Sequence, residues 1–188
     1  SWLNNMLITK PMLSKLGKQF KSLQEIYKEF GLYRSKKQSS EDMSGLLETI
    51  IAENNVDSIP SRGDDNKPDV KLSKSYKTHG EIVEIKCTAG DTWRGGKLSK
   101  RPGFYVLVSW QMHPPTFISS EECTLKIFCA GIFLTQDDWD NKEINENTSY
   151  YASRYPFKKL LNNNYELYCG NIHQGKRKEL ICNEIWFW

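Results

Sequence analysis

The spacing of apolar residues changes once, near residue 55, and that change limits the fold more than any other feature. Leu13, Leu16, Phe20, Leu23, Ile26, Tyr27 and Phe30 recur mainly at steps of three and four, as in an amphipathic helix. Lys15, Lys18, Lys21 and Lys28 fall largely on other faces, and Gly31 is placed to end the helix. A polar linker is expected over residues 34–40. A second helix follows, capped by Ser39 with Asp42 three residues on, its buried stripe formed by Met43, Leu46, Leu47, Ile50 and Ile51.

From residue 56 the pattern is that of strands. Short strands are expected at 56–60 and 69–72, separated by the turn-forming run Ser61-Arg62-Gly63-Asp64-Asp65-Asn66. A third strand covers 81–88. Residues 104–110 and 125–134 are apolar and β-branched enough for central strands, and 165–172 and 179–188 read as late ones. Two helices followed by a sheet make an α+β domain with a mostly antiparallel or mixed sheet. The 188 residues suit a single domain. It would have a helical part at 1–55, a central sheet at 56–134 and a C-terminal helix/strand part at 135–188.

Composition narrows the classes. The chain is 38% hydrophobic and 26% charged, ordinary for a globular protein, and has no apolar run long enough for a membrane helix. Its five cysteines are odd in number and never form a CxxC pair, which suits a reducing cytoplasm better than a disulfide scaffold or a zinc site. The residues Ser1-Trp2-Leu3-Asn4-Asn5 lack the features of a secretion signal, so a cytoplasmic location is expected. His79, His113 and His173 are scattered without a nucleophile signature, and no phosphate-binding GxxxxGK[ST] loop is present. Acyl transfer and nucleotide-driven motor chemistry are therefore not indicated.

The chemistry-bearing residues are Pro68-Asp69 and, after fourteen intervening residues, Glu84-Ile85-Lys86. Residues two apart on a strand share a face, so Glu84 and Lys86 project together while Val83, Ile85 and Cys87 face the other layer. A hairpin between the two strands would bring Asp69 beside Glu84. Two neighbouring carboxylates repel unless a hard cation sits between them. Mg²⁺ takes only one or two protein carboxylates and keeps water and substrate phosphate as its other ligands. Asp69 and Glu84 are then metal ligands. Lys86 is placed to polarise a phosphate or to orient an attacking water.

This arrangement resembles the PD-(D/E)xK nuclease superfamily, type II restriction endonucleases in particular, over roughly residues 40–110. The resemblance implies a restriction-endonuclease-like mixed sheet flanked by helices and Mg²⁺-dependent hydrolysis of double-stranded DNA to 5′-phosphate ends. It also implies a homodimer and a prokaryotic cytoplasm. Many members carry a glutamate on the preceding helix, where Glu48 is the first candidate and Glu53 the competitor. Alternatives are a repair or structure-specific nuclease of the same fold, or a non-catalytic DNA-binding protein.

The segment 88–103 leaves the motif strand with Arg94, Lys97, Lys100 and Arg101 against a single Asp91. Arginine can read guanine bidentately and both cations neutralise phosphates, so these four are candidate DNA contacts. Trp93 either packs on the nucleic acid or anchors this segment to the core. Arg154, Lys158 and Lys159, with Lys176, Arg177 and Lys178, are two further basic groups read as surface. The terminal Ile185-Trp186-Phe187-Trp188 is read as a core strand, or as an interface strand of a two-fold dimer suited to palindromic DNA.

Overall fold

The computed structural model describes residues 6–93, 102–114, 123–135, 138, 155–176 and 178–187. Helix α1 (Lys10–Glu29) starts with a proline in its first turn, where the missing N–H costs nothing. Its apolar stripe, with Met12, Leu13, Leu16 and Phe20 buried, lies against the sheet. Helix α2 (Lys36–Glu53) begins earlier than expected. Its cap is Ser35, whose Oγ accepts from Gln38 N at 3.1 Å while Gln38 Oε1 accepts from Ser35 N at 3.0 Å. Ser35 and Gln38 form a reciprocal capping box that Ser39 and Asp42 do not. Ser39 and Ser40 are instead buried within the helix, and Ser40 Oγ accepts from Trp110 Nε1 at 2.8 Å. Most of the expected linker at 34–40 is thus helical.

The strands are β1 (Ile59–Pro60), β2 (Val70–Lys71), β3 (Ile82–Thr88), β4 (Gly103–His113), β5 (Thr124–Leu134), β6 (Glu166–Cys169), β7 (Asn171–Gln174), β8 (Lys178–Ile181) and β9 (Asn183–Phe187). Six pair in the order β1-β2-β3-β4-β5-β6, with β9 also on β5, and β7 and β8 form a separate hairpin. The sheet is mixed because β3 and β4 run parallel while the other pairs are antiparallel. The expected late strand at 165–172 is split at Gly170, whose φ of 82° only glycine adopts cheaply. A Cβ there would lie against the Ile181 carbonyl oxygen. Helix α3 (Tyr155–Asn162) is the α-helix among the described residues of the C-terminal part.

Alternation along β3, β4 and β5 divides the interior in two. Val83, Ile85, Phe104, Val106, Val108 and Ile127 face α1 and α2. Tyr105, Leu107, Phe128, Ala130 and Ile132 face away from them, covered by Trp93, by Leu160 of α3 and by Ile172 of the hairpin. Ile185 and Trp186 are half-buried and pack against the helical side; the side chain of Phe187, and Trp188, lie outside what the structure describes. The fit is close: a Cβ on Gly17 of α1 would lie 2.6 Å from Trp186 Cβ.

A polar tie fastens the 73–80 connection to the far edge of the sheet. Tyr76 and Tyr168 both donate to Glu166 Oε2, at 2.7 and 2.5 Å, and Lys77 pairs with Glu166 Oε1. Burial pushes the Glu166 carboxyl up, but Lys77 and the two phenols outweigh it and hold the group below its ordinary 4.5. A carboxylate whose folded pKa is depressed stabilises the fold above its unfolded pKa, and that contribution is lost as pH falls through the folded value. Thermal melts of the wild type are therefore expected to lose stability below about pH 4.5 more steeply than those of Glu166→Gln. Equal slopes would show that the tie carries no proton-linked stability.

Candidate active site

Strand β2 pairs with β3 only at Val70–Val83 and Lys71–Ile82. Continuing that register by one residue sets Asp69 opposite Glu84. Beyond this point the chain of β2 turns away, so the edge of β3 past Glu84 has no strand beside it among the described residues. The Asp69 carboxylate takes over where the ladder stops: its Oδ2 accepts from Ile85 N at 2.7 Å. The Asp69 carbonyl oxygen meanwhile accepts from Ser61 N at 2.9 Å. Asp69 is therefore fixed to both neighbouring strands. A carboxylate has about four acceptor positions, so one N–H leaves it able to bind a cation.

Glu84 and Lys86 share the β3 face of their β4 partners Tyr105 and Leu107. Glu84 is only 7% exposed, whereas Lys86 is half-buried. Holding a carboxylate so far from water is costly without compensation, which makes Glu84 an unusual residue for an ordinary solvated strand face. Asp69, Glu84, Lys86 and Glu48 all border one open cleft of about 820 Å³ between α2 and the free edge of β3. The structure thus brings together the four expected site residues.

Glu48 and Glu53 separate cleanly. Glu53 pairs with Lys15 of α1 at 2.7 Å and does not border the cleft, while Glu48 does. Glu48 Oε1 accepts from Ser61 N, Ser61 Oγ and Arg62 N at 2.5, 2.6 and 3.1 Å. Its first task is therefore to clamp the turn that follows β1 against α2. Asp64 and Asp65 also border the cleft. Asp64 Oδ1 accepts from Asn66 N at 3.0 Å, the turn-forming bond expected of it.

The cleft does not stop at the carboxylates. It opens into a second space of about 890 Å³ that shares Glu41, Ser44, Ile85 and Lys86 with it and runs past Thr88 to Lys36 and Lys37 at the start of α2. Along α2 the lining residues Lys37, Glu41, Ser44 and Glu48 are spaced four, three and four apart, one polar stripe beside the apolar one. That stripe is the signal in the sequence that finds these additional residues. Placing 36 and 37 in a linker hides it.

Arg94, Lys97, Lys100 and Arg101 lie outside the described residues. Trp93, just before them, is fully buried, and its Nε1 donates to Val108 O at 3.0 Å. It is a core anchor. Cys87, on the cleft wall, is no nucleophile: burial, then the charge of Asp69, pushes its thiol up to about 12.

A hard divalent cation is the kind that Asp69 and Glu84 could hold, because both offer carboxylate oxygens and the register of β2 on β3 sets them opposite each other. Among the described residues no three His, Cys, Asp or Glu side chains group tightly enough to hold a metal alone. Such a cation would take its remaining ligands from water and substrate, as Mg²⁺ does. Among the described residues no helix is long and apolar enough to cross a membrane. No protein-family model, curated protein or solved structure matches the chain.

Proposed function

We propose that this protein is a Mg²⁺-dependent endonuclease that hydrolyses phosphodiester bonds in double-stranded DNA, in the manner of a type II restriction enzyme. The observation that carries the reading is the register of β2 on β3, which sets Asp69 opposite Glu84 at the edge of a cleft also bordered by Lys86. Bound there, Mg²⁺ would supply charge neutralisation at the scissile phosphate and acidify a water. Asp69 and Glu84 would hold it. The Lys86 ammonium would orient the attacking water and offset charge building on the non-bridging phosphate oxygens, for in-line displacement at phosphorus. Glu48 supports the site through the 61–62 turn, which it clamps to α2. A two-fold dimer would give one such site to each strand of a palindromic sequence.

The direct test is incubation of the protein with supercoiled plasmid and phage DNA in the presence of Mg²⁺. Nicking or linearisation that EDTA blocks is the expected result, and discrete fragments with constant end sequences identify the restriction type. Cutting only at branched or damaged DNA would transfer the assignment to a repair nuclease. DNA that stays intact over a range of divalent cations and sequences would overturn the assignment.

A further inference from the structure

We propose that Lys36 and Lys37 form a phosphate-holding end of the cleft, gripping the nucleic-acid backbone beside the phosphate addressed by the carboxylates. The proposal rests on the nuclease reading and extends it to residues outside the motif.

The cleft has the shape of a trough. Its two spaces, about 820 and 890 Å³, join through Glu41, Ser44, Ile85 and Lys86 along the free edge of β3. Lys37 and Glu48, on the same stripe of α2, are eleven residues apart, or about 16 Å at 1.5 Å per residue. One strand of a duplex advances about 3.4 Å per phosphate, so the trough is long enough for several. A single nucleotide would leave most of it empty.

Charge along the trough changes sign. Glu48, Asp64, Asp65, Asp69 and Glu84 border one end against Lys67, and Lys36 and Lys37 stand at the other against Asp91, with Glu41 and Lys86 common to both. The acidic end repels a phosphate backbone until a cation is bound, whereas the lysine end attracts it without one. A strand anchored by the lysines would therefore be presented to the carboxylates. Of the first-turn amides the Ser35–Gln38 capping box occupies Gln38 N, together with Ser35 N at the cap itself, so the proposed attraction is that of the two lysine side chains. That box does fix the conformation from which both exposed lysines extend.

The test compares wild type with Lys36→Gln/Lys37→Gln. Glutamine has nearly the helix propensity of lysine, and neither change touches the cap, so melting temperatures should agree. Binding of a fluorescent 20-base-pair duplex is measured by anisotropy in EDTA from about 50 to 200 mM NaCl. Each lost phosphate contact should flatten the slope of log affinity against log salt by about 0.9, so the double variant should be flatter by about 1.8. The charge-keeping double variant Lys36→Arg/Lys37→Arg should retain the wild-type slope. An unchanged slope in the glutamine variant overturns the proposal, and Mg²⁺-dependent nicking by the wild type in that case leaves the nuclease reading standing. The expected change in slope together with no nicking supports the two contacts and overturns the nuclease.

Discussion

Asp69→Asn is expected to abolish Mg²⁺-dependent cleavage of plasmid DNA, by about 10²–10⁴-fold or more, while the chain stays folded. The choice of asparagine follows from the double duty of this side chain. Its Oδ2 closes the sheet where β2 ends, accepting from Ile85 N at 2.7 Å. An amide oxygen can still accept that bond but brings no charge to a cation. Alanine would leave the Ile85 N–H without its partner and mix a folding defect with a chemical one. Lys86→Met tests the other half of the site, since it keeps most of the apolar stem and removes only the ammonium. Both variants should melt close to wild type and still bind duplex DNA. Full cutting by either would remove these residues from the chemistry.

Trp93→Ala is the substitution with the largest expected effect on stability. Trp93 is fully buried against Tyr105, Leu107 and Phe128 on the sheet face away from α1 and α2. Emptying such a site costs about 3–5 kcal/mol. At about 2–4 °C per kcal/mol for a chain of this size, melting should fall by about 6–20 °C. Trp93→Phe keeps most of the ring and gives up the bond to Val108 O, at about 1 kcal/mol. A melting temperature unchanged in the alanine variant would place the indole outside the core.

The contrast between the motif and the start of α2 shows what the sequence could disclose. Asp69, Glu84 and Lys86 are legible because strand alternation and one proline act locally, and because the hairpin register follows from them. The start of α2 is not. Ser35-x-x-Gln38 and Ser39-x-x-Asp42 are both plausible caps on local grounds. What decides between them is distant: Ser40 is buried in the helix and bonded to Trp110, seventy residues away. The same holds for the parallel pairing of β3 and β4. Nothing within either strand states its direction relative to the other, since the connection between them sets it. Lys36 and Lys37 escape a reading of the sequence for the first reason alone, and correcting the helix boundary brings them into the cleft.

The two sides of the sheet are covered differently. Among the described residues, one carries a pair of long helices, while the other is covered by an indole, a short helix and a two-stranded hairpin. Glu84 and Lys86 sit on the side away from the long helices, whereas Asp69 is latched to the backbone of the strand itself. The cleft therefore has one jaw held by a backbone hydrogen bond and another carried on the sheet face opposite the long helices.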